Sequence, residues 1–118
     1  MEALLDTNFI IACMKRNIDF LAQLEEAGYK PVLAHEVLEE LKDVRQQVKR
    51  DDKVAIDLAL TLFARRKVHK MKLGHRSVDE GLQLYGKKGG TVATLDGALK
   101  RTIKKTIGID DARNALLF

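Results

Sequence analysis

Four short stretches of this 118-residue chain hold acids in settings that could do chemistry. In LLDTNF (4–9) an apolar run ends at Asp6; in VATLDG (92–97) a second run ends just before Asp96. VLEEL (37–41) offers Glu39 and Glu40, and SVDEGL (77–82) offers Asp79 and Glu80. Each Asp that follows a strand has a plain structural explanation, because Asp is a good N-cap for the helix after it. Three or four acids meeting in one cleft are another matter, since they cannot all stay ionised without a counter-charge. A hard divalent cation with oxygen ligands, Mg²⁺ or Mn²⁺, supplies that charge. Such a site can activate a water and stabilise the negative charge of a phosphodiester transition state.

Angles and caps rank the candidates. The segment from Glu36 to about Arg50 reads as an amphipathic helix whose stripe is Val37, Leu41, Val44 and Val48. At 100° per residue Glu40 lies roughly 75° off that stripe, so it borders the core and looks into a cleft. Glu39 points nearly opposite, into water, and Glu36 sits at the helix start, where a cap or dipole role suffices. Ser77 followed by Glu80 fits a capping box, which gives Glu80 a structural role and leaves Asp79 freer to bind; either could be the ligand. Asn8 stands where an Asp-x-Asp phosphatase needs its second carboxylate, which excludes that covalent chemistry.

Short strands alternating with helices must position these acids. Strands are expected at 2–6, 31–34, 67–73, 91–94 and 115–118, with Pro31 tolerated at a first strand position. Helices are expected at 9–14, 18–28, 36–50, 52–66, 77–87 and 97–105; in the fourth, Val54, Ala55, Leu58, Leu62 and Phe63 face inward. The alternation implies βα units, an α/β fold and a parallel sheet in one domain over 1–118. Ligands of such sheets sit outside the carboxyl ends of the strands, where Asp6 and Asp96 stand. The glycines of GKKGGT (86–91) serve a helix-to-strand turn, since they fit no phosphate-loop pattern.

Composition narrows the partners. Hydrophobic residues make up 46% and charged residues 32%, so the chain can bury a core and stay in water. Its net charge of +4 leans toward a polyanion. Two basic clusters could meet a nucleic-acid backbone: RRKVHKMKLGHR (65–76), and LKRTIKK (99–105) with Lys100, Arg101, Lys104 and Lys105. A single cysteine, Cys13, excludes an internal disulfide and a multi-Cys zinc site, and its hydrophobic setting reads as core. His35, His69 and His75 lack metal-ligand spacing. The N-terminal apolar run has no basic leader and no stretch is long enough to span a membrane, so a soluble, cytoplasmic protein is expected.

Taken together these stretches resemble the PIN-domain nuclease family over nearly the whole chain. LLDTNF matches its strand-Asp-Thr-Asn motif and VLEEL its Val-x-x-Glu-Leu motif, which carries the second acid onto Glu40. SVDEGL matches its acidic doublet, and VATLDGALKR (92–101) its strand-Thr-x-Asp segment followed by a basic helix. The resemblance implies a three-layer α/β/α sandwich with a short-stranded central parallel sheet. It also implies Mg²⁺ or Mn²⁺ dependence and cleavage of single-stranded or structured RNA. Asp6, Glu40, Asp96 and either Asp79 or Glu80 would be ligands, with Asn8 and Thr94 orienting ligands or water. VATLDGALKR looks like the branch of small-subunit ribosomal RNA-processing endonucleases and their archaeal relatives. Toxin ribonucleases of toxin–antitoxin pairs share the core and form dimers. Relatives often carry Asn before the last Asp and another acid two residues after it; Leu95 and Ala98 stand there, so one auxiliary ligand is missing. That substitution keeps open a nuclease-inactive RNA-binding module.

Overall fold

A computed structural model describes residues 1–74 and 77–118. The order is β1 (Glu2–Leu5), α1 (Thr7–Lys15), α2 (Phe20–Glu26), β2 (Lys30–Ala34), α3 (His35–Arg45), α4 (Arg50–Arg66) and β3 (His69–Met71). It continues with α5 (Val78–Lys87), β4 (Thr91–Ala93), α6 (Gly97–Thr102), β5 (Lys105–Asp110) and β6 (Ala115–Leu117). His75 and Arg76, the end of the first basic cluster, lie outside the described residues.

The strands form one sheet in the order β3-β2-β1-β4-β5-β6. The first five are parallel, and β6 returns antiparallel to β5, so the sheet is mixed rather than wholly parallel. The chain steps outward from β1 to β2 and β3, then crosses back to lay β4 on the other side of β1. Right-handed crossovers therefore put α1–α4 on one face and α5 and α6 on the other, which gives three layers. The reversal between β1 and β4 is a topological switch point, where the loops leaving the two strands part and open a crevice. Asp6 leaves β1 and Asp96 follows β4 at that crevice.

The core is aliphatic, with Leu4, Leu5, Val32, Leu33, Val92 and Ala93 fully buried in the central strands. Under α1–α4, Phe9, Phe20 and Phe63 pack edge to face, with centroids 6.0 and 6.1 Å apart. This layer holds β1 rigidly and so fixes where its end points.

Several elements differ from the sequence expectation. The third helix ends at Arg45, not near Arg50, so Val37 and Leu41 are fully buried while Val48 lies beyond it, half-buried. The fourth begins at Arg50 and turns Ala55, Ile56, Ala59 and Phe63 inward. Val54 and Leu58, expected inside, are 51% and 53% exposed. Two apolar stripes run along that helix, and the one with small alanines packs because it lets α4 approach α1 closely. The strand expected over 67–73 shrinks to three residues, since Lys67 ends α4 in the left-handed region (φ 49°).

The basic helix expected over 97–105 stops at Thr102, whose hydroxyl donates back to the carbonyls of Ala98 and Leu99. Ile103 turns extended, and β5 follows, a strand that the basic residues before it conceal in the sequence. Its β-branched Thr106, Ile107 and Ile109 suit a strand.

Candidate metal centre

Asp6 is built into the end of β1 from three sides. Its backbone N–H extends the ladder to the Ala93 carbonyl at 2.9 Å. Its Oδ1 accepts from the Thr7 N–H at 2.8 Å, the cap expected from sequence, and its Oδ2 accepts from the Thr94 hydroxyl at 2.7 Å. Thr94 is fully buried, and its N–H donates to the Ile107 carbonyl at 3.0 Å. The same hydroxyl oxygen accepts from the Asp96 N–H at 3.0 Å. One threonine thus joins the ends of β1 and β4 and the start of α6. Asp96 caps that helix, its Oδ1 accepting from Ala98 N–H at 2.8 Å and from Leu99 N–H at 3.4 Å.

Asp6 is the buried acid of the described residues. Desolvation by burial pushes its carboxyl above the ordinary carboxylate range; the bonds from Thr94 and Thr7 oppose the rise. The charges of Asp79 and Glu40 raise it further, so these two acids stand near enough to act on it. Glu40 is half-buried, as its angle implied, and Glu39 is exposed beside Lys42 at 3.8 Å. Ser77 caps α5 by accepting from the Glu80 N–H at 3.1 Å. The reciprocal bond of a full capping box is not made among the described residues, and Glu80 and Asp79 are both exposed.

Among the described residues no three His, Cys, Asp or Glu side chains stand close enough to hold an ion directly. The donor set nevertheless suits a hard cation: carboxylates only, one buried and fixed, and among the described residues the charges that act on it are those of other carboxylates. Mg²⁺ keeps several of its own waters and needs only one or two carboxylates in direct contact. Thr94 links Asp6 to the backbone of Asp96, and the charges of Glu40 and Asp79 reach Asp6.

Glu36 has a role that its place at a helix start did not reveal. Its carboxylate accepts from the N–H groups of Leu73, at 3.0 and 3.1 Å, and Gly74, at 2.8 Å. These bonds, from Leu73 first, pull its carboxyl below the usual range despite some desolvation. Glu36 thereby ties the segment after β3 to the first turn of α3. No local pattern could announce a contact 37 residues apart. Glu36, Glu39 and Glu40 line a cleft of about 580 Å³ with His35, Lys72 and Ser77.

The basic residues divide. Lys100 stays on α6 and leans over β5, where a methyl group on Gly108 would lie 3.3 Å from its Nζ. Arg101 follows it on the same helix. Lys104 and Lys105 do not continue that helix, and Lys105 opens β5 opposite Thr91, at the amino end of the strands. The expected single group of four is thus split between opposite ends of the sheet. Asn8 is exposed on the first turn of α1. No described helix is long and apolar enough to cross a membrane.

Comparison with known proteins agrees with this architecture. The structure is similar to that of the PIN domain endonuclease Utp24, with a TM-score of 0.73 at 20% identity over 98% of this chain and 88% of the other. It is also similar to VapBC2 from Rickettsia felis bound to a DNA fragment from their promoter, with a TM-score of 0.64 at 13% identity over 93% of this chain and all of the other. At these identities the likeness is one of fold. Among curated proteins none matches the sequence. A family profile described as "PIN like domain" matches residues 3–111, which spans β1 to the end of β5, and the chain belongs to that family.

Proposed function

We propose that this chain is a metal-dependent endoribonuclease that hydrolyses RNA phosphodiester bonds. One observation carries the reading: Asp6 is buried and held on both oxygens while Asp79 and Glu40 press their charge on it. Such an arrangement is unfavourable unless a cation joins the acids. Asp6, Glu40, Asp79 and Asp96 would hold Mg²⁺ or Mn²⁺, with Glu80 as the alternative to Asp79. The bound ion would lower the pKa of a water and offset charge on the scissile phosphate. Thr94 fixes the direction of the free Asp6 lone pairs, and Asn8 would orient a water from the first turn of α1. Lys100 and Arg101 would meet the RNA backbone near the acids.

Cleavage of a labelled structured RNA with Mn²⁺ or Mg²⁺ tests this. Asp6→Asn and Asp96→Asn should each abolish it while the circular dichroism of the fold is kept. Full activity in both variants would sink the proposal.

For the biological role, ribosomal RNA processing or RNA quality control is favoured by the VATLDGALKR segment and by the likeness to an endonuclease over nearly all of both chains. The alternative is a toxin ribonuclease, dimeric and paired with an antitoxin, and the likeness to VapBC2 is what speaks for it. A small reading frame encoding an antitoxin beside this gene, with co-purification of the two products, would decide for the toxin.

A further inference from the structure

Four lysines gather at the end of the sheet opposite the acids. Lys87 is the last residue of α5 and Lys88 its C-cap, while Lys104 and Lys105 lead into β5. With Gly86, Gly89 and Thr102 they line a cavity of about 390 Å³ that has no carboxylate in its wall. Two glycines make the arrangement possible. Gly86 lets Ile103 pack directly on the end of α5; a Cβ there would lie 2.5 Å from Ile103 Cγ1. Gly89 turns the chain at φ +98°, so that Lys87 and Lys88 are left beside the cavity as the backbone enters β4. All four lysines are exposed, and none is in an ion pair among the described residues.

Lysines near helix C-termini also complement the helix dipole, which offers a purely structural account. That account covers Lys87 and Lys88 but not Lys105, which sits in a strand. Like charges brought together around one cavity repel and lower stability unless an anion joins them. The phosphodiester backbone of RNA is a polyanion that complements this charge.

We infer that Lys87, Lys88, Lys104 and Lys105 form a second RNA-backbone site, separate from the acid cleft. The inference rests on that part of the proposed function which makes RNA the ligand of this chain. Thr91 lies beside Lys105 and Thr94, just past β4, bonds Asp6; three extended steps of about 3.3 Å each put the two sites on the order of 10 Å apart. No single phosphate can occupy both, and an RNA that does so must run along the sheet edge or the α5–α6 face. The lysine site would hold flanking RNA and set which bond reaches the acids.

The test separates binding from cleavage. Affinity for a labelled single-stranded RNA is measured by anisotropy across a salt series, with Asp6→Asn as the common background so that nothing is cut. Replacing all four lysines by Gln should weaken binding at least tenfold. It should also flatten the salt dependence by about 0.7 log units per decade of salt for each phosphate that a lysine no longer neutralises. Replacing all four by Arg should keep both, and Lys49→Gln/Arg50→Gln, which removes charge on another face, should change neither much. Affinity and slope unchanged in the four-Gln variant would overturn the inference, as would an equal loss per charge in the Lys49/Arg50 control. A wild-type chain that binds RNA through these lysines but never cuts it would refute the nuclease reading and leave this site standing.

Discussion

Thr94 Oγ1 donates to Asp6 Oδ2 at 2.7 Å and accepts from the Asp96 N–H at 3.0 Å, so one hydroxyl sets the relation between the two aspartates that follow neighbouring strands. Valine has the same shape without the hydroxyl. Thr94→Val should therefore leave the Asp96 amide without its acceptor and Asp6 without its donor. We expect a loss of about 1–3 kcal/mol, read from urea unfolding. Partners that orient a metal ligand typically matter about 10–100-fold for affinity, so Mn²⁺ binding by calorimetry should weaken by that factor. Thr94→Ser, which keeps the hydroxyl, should restore most of both.

Asp6 makes the opposite prediction for stability. Its folded pKa lies above its unfolded value, chiefly through burial, so its contribution is present below the ordinary 3.8 and is lost as pH rises through the folded pKa. At neutral pH the ionised carboxylate therefore lowers stability. Asp6→Asn keeps the cap and removes the charge, and should melt a few degrees higher than the native chain in metal-free buffer at pH 7. The gap should close toward pH 3, and millimolar Mg²⁺ or Mn²⁺ should raise the melting temperature of the native chain alone. A variant that melts lower at pH 7 would mean that Asp6 is held by favourable partners.

These two residues also show how far the sequence could be read. Asp6 and Asp96 were legible because each follows an apolar run, and strand order brings the ends of β1 and β4 together. Glu40 was legible from its angle to Val37 and Leu41. The bond from Thr94 to Asp6 spans 88 residues, so the family resemblance could imply that Thr94 orients a ligand but not which one. β5 was hidden because Lys104, Lys105 and Thr106 prolong the polar pattern of α6, and only pairing with β4 and β6 selects the strand. On α4 the periodicity allowed two inward faces. Close contact with α1 chose the alanines, which leaves Val54 and Leu58 outside.

Glu36 should act as a clamp rather than a ligand. Glu36→Ala removes the acceptor for the Leu73 and Gly74 N–H groups and should cost about 1–2 kcal/mol, with partial solvent exposure holding the loss at the low end for charged hydrogen bonds. Because its folded pKa is depressed, its contribution is present above its ordinary 4.5 and is lost as pH falls through the lower folded value. The amides of Leu73 and Gly74 should exchange with deuterium faster in the variant at pH 7. Unchanged protection there would show that the segment after β3 is held by something else.

Gly86 offers a test of the packing beneath the lysine cavity. An added Cβ would meet Ile103 Cγ1, Cγ2 and Cδ1 at 2.5, 2.6 and 2.8 Å. Ile103 is buried and branched at Cβ, so it has few other rotamers to adopt, and the clash moves backbone as well as side chain. Gly86→Ala should cost about 1–3 kcal/mol by overpacking, more than its gain in helix propensity of roughly 1 kcal/mol returns. The double variant Gly86→Ala/Ile103→Ala, which removes all three clashing carbons, should cost less than the sum of the two single changes in a double-mutant cycle. Additive effects in that cycle would mean that α5 and the entry to β5 are not coupled at this point, and that Lys104 and Lys105 owe their position to something other than Gly86.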